Sequence, residues 1–203
     1  MKLIVLLSAA AASLLIASPA SALTTVYSTT LSGAAEAPPN ASPGTGMARV
    51  TLDDVARSLR VEASFSGLTG TTTMAHIHCC TLTAGTGTAG VATMVPSFTG
   101  FPLGVTSGAF DTLFDLTSAT SFNPAFITAN GGTVDSAFAV LAGGLNAGTT
   151  YFNIHTSTFA GGEIRGFLVP AIPEPSTYAL LVAGLGALGA VARRRQKKAP
   201  SAR

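Results

Sequence analysis

Leu59-Arg60-Val61-Glu62-Ala63-Ser64-Phe65 alternates apolar and polar residues without a break. Successive strand side chains point to opposite faces, so Leu59, Val61, Ala63 and Phe65 share one buried face. Upstream, Asp53-Asp54 reads as a turn and Ala48 to Leu52 as the preceding strand. A loop holding Pro38-Pro39 and Pro43-Gly44 separates that strand from a first one over Thr25 to Leu31. Downstream, Met74 to Cys80, Ser107 to Leu116, Ala137 to Leu141, Thr150 to Thr156 and Glu163 to Val169 read as further strands. Gly85 to Gly90 and Pro96 to Gly104 read as loops. Asn123 to Gly132 is the one short helix expected: Asn123 caps it, Pro124 takes its first position and glycine ends it. Many short strands with one small helix predict an all-β sandwich or barrel.

Glycine, threonine, serine and alanine dominate this body, which suits short strands joined by tight turns. The whole-chain charge of +2 misleads, because most basic groups lie at the two ends. Residues 23–170 hold four arginines, no lysine and eight acids, a net charge of −4. An acidic, lysine-free surface does not bind phosphate backbones, so nucleic acid is excluded as a partner. The apolar residues recur in patterned runs, which excludes a disordered linker.

Both ends carry targeting features. Lys2, an apolar run from Leu3 to Ala17 and the small residues Ala20-Ser21-Ala22 predict a signal peptide over 1–22, with Leu23 as the first residue after cleavage by signal peptidase. No cysteine stands there to make a lipoprotein. At the other end Pro173-Glu174-Pro175 breaks regular structure. An uncharged apolar stretch follows from about 177 to 192, 16 residues against the ~17–25 of a spanning helix. Arg193, Arg194, Arg195, Lys197 and Lys198 then form a basic end, 193–203, of the kind that stays cytoplasmic. The organisation expected is signal peptide 1–22, domain 23–170 and tail 171–203.

The tail resembles a PEP-CTERM sorting signal over roughly Ile172 to Lys198. That resemblance implies recognition and processing by an exosortase, a transient stay in the inner membrane through the C-terminal transmembrane helix, and delivery to the cell surface or extracellular matrix. Four segments of the body stand out in order: Leu31-Ser32-Gly33-Ala34-Ala35-Glu36-Ala37-Pro38-Pro39, Ala75-His76-Ile77-His78, Tyr151-Phe152-Asn153-Ile154-His155-Thr156 and Gly162-Glu163-Ile164-Arg165-Gly166. Through them the body resembles the CHRD domain from about Thr25 to Val169. The resemblance implies an immunoglobulin-like, Greek-key β-sandwich and says little about activity.

All three histidines of the body lie in those segments. His76 and His78 are two apart on an expected strand, so both rings project from one face. His155 shares a face with Tyr151 and Asn153. If the two strands are neighbours, three imidazoles converge, and three nitrogen ligands with an open fourth position suit zinc or copper. Glu163 or an aspartate would complete or orient the set. The alternative is three histidines that only donate hydrogen bonds to backbone or to Glu163. The His-x-His strand is also similar to that of copper–zinc superoxide dismutase, whose two-metal site needs more histidines than this chain has.

Cys79 and Cys80 are the only cysteines and are adjacent. Export favours a vicinal disulfide; a thiolate contribution to copper, pairing with a second molecule, and packed free thiols stay open. Glu163 and Arg165 are placed to form a local ion pair. The chain has no nucleophile elbow, paired-carboxylate signature or phosphate-cradling loop, so no enzyme activity is expected. The function expected is an exported, non-catalytic structural or adhesive module contacting exopolysaccharide or surface proteins. The alternative is a metal-binding or redox module using His76, His78, His155 and the cysteine pair.

Overall fold

A computed structural model describes residues 24–171, 180–189 and 193. Eight strands form one antiparallel sheet: β1 (Thr24–Ser32), β2 (Thr45–Asp53), β3 (Ser58–Ser66), β4 (Thr72–His78), β5 (Gly108–Asp115), β6 (Tyr151–Thr156), β7 (Ile164–Phe167) and β8 (Val169–Pro170). Their order is β4-β6-β7-β1-β2-β3-β5, with β8 beside β1. The alternation in β3 holds: Leu59, Val61, Ala63 and Phe65 are all buried. Its register sets Val61 opposite Val50 and Leu59 opposite Leu52 on β2. The Asp53 carboxylate closes that hairpin by accepting the amides of Val55 and Ala56.

The all-β class is what the alternation predicts. The layers are the facing halves of a single continuous sheet that curls round its core. Phe98, from the segment between β4 and β5, shows how the sheet closes. Its ring stacks on Phe152 of β6 at 5.8 Å and on Phe114 of β5 at 5.4 Å. One aromatic therefore bridges strands near opposite ends of the sheet, and such contacts add to the burial each ring already gains.

Two α-helices connect β5 to β6, α1 (Pro124–Ala129) and α2 (Val134–Asn146). The first is the short helix expected, with the Asn123 side chain accepting the Ala125 amide. The second corrects the sequence reading, which has a strand over Ala137 to Leu141 and only one helix. Thr133 and Ser136 form a capping box at its start. Its buried residues, Ala137, Leu141, Gly144 and Leu145, recur at helical spacing. Over only five residues an apolar run fits either period, and the cap decides.

The expected signal peptide 1–22, the tripeptide 173–175, Arg194 and Arg195 lie outside the described residues. Residues 180–189, inside the expected apolar tail segment, are helical and exposed. No helix among the described residues is long and apolar enough to cross a membrane.

Candidate metal centre

On β4, Ala75 and Ile77 point into the core and are fully buried. His76 and His78 therefore take the opposite face. Strand β6 lies directly beside β4, with Met74 opposite His155, His76 opposite Asn153 and His78 opposite Tyr151. On the far side of β6, Asn153 faces Arg165 and Tyr151 faces Phe167 of β7. Three strands thus gather His76, His78, His155, Tyr151, Asn153 and Arg165 on the face turned away from the core.

That face is nonetheless covered. His76, His78 and His155 are 3%, 8% and 7% exposed. Carbonyls from the neighbouring loops reach the rings. Pro96 O accepts from His76 Nε2 at 2.7 Å, Ala89 O from His78 Nδ1 at 2.9 Å and Ala160 O from His155 Nδ1 at 2.9 Å. A carbonyl only accepts, so those nitrogens carry the protons and the opposite nitrogens carry lone pairs. His76 Nδ1, His78 Nε2 and His155 Nε2 are buried and have no hydrogen-bond partner.

The rings converge, with centroids 5.4 to 5.9 Å apart. One nitrogen from each lies within 4.8 Å of the others. A tetrahedral ion with bonds of about 2.0–2.1 Å holds its ligand atoms about 3.4 Å apart, so a small inward shift of the rings closes the site. Burial pushes His76 and His78 down to about 4, with repulsion from the neighbouring imidazoles adding to it. Burial also lowers His155. At neutral pH all three are uncharged, the state a ligand needs.

The surroundings orient the cluster. Tyr151 stacks on His78 at 4.6 Å and 6°, and its hydroxyl lies 3.2 Å from both the amide and the carbonyl of Ala89. Ring and tyrosine thereby hold the same loop residue. The Arg165 guanidinium lies over Tyr151 at 4.7 Å, and Nε donates to Ala35 O at 2.6 Å. The carboxylate 3.6 Å from Arg165 is that of Glu36. Burial pushes Glu36 up to about 7 despite this cation. Gly162 has φ +133, and a Cβ there would sit 2.5–2.7 Å from the Asn153 amide and Glu36 Oε1. Only glycine lets both groups pack against residue 162.

Glu163 does not join the histidines. It is fully buried and accepts hydrogen bonds from Ser42, Thr69, Gly70 and Thr156. The expected Glu163–Arg165 pair is replaced by Glu36–Arg165. Cys79 and Cys80 follow His78, but their paired sulfurs turn toward Gly144 of α2. Sequence reasoning missed Glu36 as a partner, because nothing periodic relates its loop to β7. It did place Tyr151 and Asn153 on the His155 face, and that parity was the available signal.

An all-β body thus carries a buried polar cluster on the face turned away from its core. Comparison with family models matches the CHRD domain over residues 27–168 and the PEP-CTERM protein-sorting motif over 171–196. The chain belongs to the CHRD domain family. It is exported, sorted through the membrane to the cell surface, and has exosortase as a processing partner. No curated protein and no solved structure gives a significant match.

Proposed function

We propose that the exported domain binds one zinc or copper ion through His76, His78 and His155 and serves the cell surface or matrix as a metal-binding module. Two observations carry this reading: each of the three buried rings has one nitrogen without a hydrogen-bond partner, and the three histidines bring ligand nitrogens within 4.8 Å of one another. Leaving a buried acceptor unpaired costs about 1–3 kcal/mol, and an ion would satisfy all three at once. The second rings of hydrogen bonds, to Pro96, Ala89 and Ala160, are the kind that fix ligand tautomer and orientation. The orphaned nitrogens put metal binding ahead of the purely structural reading that the sequence favours. A structural or adhesive role remains compatible with it. The exposed outer side of β2, β3 and β5, where Arg60 pairs with Asp111, supports a solvated contact surface for exopolysaccharide or surface proteins.

The purified protein, stripped with chelator and reloaded, should take up one equivalent of Zn²⁺ or copper. At a free metal concentration about a hundredfold above Kd its melting temperature should rise by about 5–10 °C. His76→Ala/His78→Ala should lose both the uptake and the rise. If wild type and double variant melt alike with added metal, the reading fails.

A further inference from the structure

We infer that the ion this site is built for is copper in the +1 state, held by His76 Nδ1, His78 Nε2 and His155 Nε2 alone. This rests on reading the histidines as a metal centre, and it names the occupant. The first ground is the charge of the donor set. Among the described residues the only cluster of potential ligands consists of these three histidines, with no carboxylate or thiolate in it. Three neutral imidazoles leave the whole formal charge of the ion uncompensated. The cysteines beside His78 are not available, because both sulfurs lie against Gly144 and near the Val140 carbonyl of α2.

The second ground is burial. Charging a buried centre costs energy that scales with the square of the charge, so a +2 ion faces about four times the desolvation cost of a +1 ion of similar size. The third ground is the neighbouring charge. Arg165 is 4% exposed, sits over the Tyr151 ring that stacks on His78, and repels any cation placed there. Glu36 is the carboxylate that answers Arg165, so the pair leaves no spare negative charge for the metal. Asn153 Oδ1 and Glu36 Oε1 are further buried acceptors without partners, but both atoms turn toward Gly162.

The fourth ground is coordination number. Zinc takes four ligands, with water completing a three-residue set. Cu²⁺ takes a square or tetragonal set. The three ring planes are mutually inclined: His76 stands at 87° to His78 and 72° to His155, and His78 is tilted 36° from His155. A filled-shell Cu⁺ is content with three nitrogens and needs no water in a covered site. Every term that penalises a second positive charge also holds copper in its reduced state once bound. No electron transfer is involved in loading, since the ion enters as Cu⁺.

The test loads the purified full chain without oxygen, once with Cu⁺ supplied as its acetonitrile complex and once with Zn²⁺. The expected result is one copper per chain, an X-ray absorption edge of Cu⁺, and three nitrogen neighbours at about 2.0 Å. After an hour in air the sample should give no Cu²⁺ electron paramagnetic resonance signal, and a tenfold excess of Zn²⁺ should not displace the copper. An axial Cu²⁺ spectrum in air, a fourth light ligand, or displacement by Zn²⁺ overturns the assignment. Uptake of Zn²⁺ without Cu⁺ overturns the copper assignment and leaves the metal centre standing; uptake of neither removes both.

Discussion

Glu163 shows how much one side chain can tie together. Its carboxylate accepts the amides of Thr69 and Gly70 and the hydroxyls of Ser42 and Thr156. Those donors come from the β1–β2 loop, the β3–β4 loop and the end of β6. Burial by itself raises a carboxyl, but four donors to the charged form outweigh it, and Glu163 lies below its ordinary value of 4.5. A folded-state value below the unfolded one means the stabilisation is complete above 4.5 and is lost as pH falls through the folded value. Glu163→Gln should therefore destabilise the domain by about 2–3 kcal/mol at pH 7, read as a lower urea midpoint. The gap between the two chains should narrow once the pH drops below 4.5. The difference is the readout, because the buried histidines make both chains less stable below their ordinary 6.5. A gap as wide at pH 3 as at pH 7 would refute this account of Glu163.

Helix α2 is the element whose local chemistry the sequence hides best. Leu141 and Leu145 face the core, while Gly144 faces the sulfurs of Cys79 and Cys80, where an added Cβ would meet them at 2.5–2.6 Å. Its neighbour Gly143 has nothing within 4 Å of such an atom. Glycine inside a helix costs about 0.5–1 kcal/mol relative to alanine, so Gly143→Ala should raise the melting temperature. Gly144→Ala should lower it, by about 1–3 kcal/mol of overpacking. Thermal melts of the two variants decide the point, and a rise in both would mean the cysteine pair does not rest on Gly144. The same helix marks where sequence reading stops. Period two placed β1 to β7 because each strand has one core face. A five-residue window over Ala137 to Leu141 carries no such signature, and Gly143-Gly144 looks like a helix end. Parity put His76 with His78, and Tyr151 with His155, on single faces. The pairing of β4 with β6 spans more than seventy residues and has no local mark. The carbonyls of Ala89, Pro96 and Ala160 carry no residue signature at all, so the cover of the site was illegible.

At the scale of the whole molecule, the fold sets a limit on how the chain is processed. Strand β8 pairs with β1, Tyr27 opposite Pro170 and Ser28 opposite Val169, and the Ala171 amide donates to Val26 O at 2.8 Å. The sorting motif begins at residue 171, so the last hydrogen bond of the domain and the first residue of the motif coincide. A cut before Val169 would strip a strand from β1 and expose an edge that invites pairing with other chains. A cut within the tripeptide leaves the sheet whole. Processing should therefore release a species ending between Ala171 and Pro175, recovered from the surface or matrix fraction, with the apolar and basic remainder left behind. Replacing Pro173, Glu174 and Pro175 by alanine should leave full-length protein in the membrane fraction. Intact mass of the wild-type surface species tests both statements. A product ending before Val169 would show that the β8 edge does not limit the cut, and full-length wild type confined to the membrane would make the tail a permanent anchor.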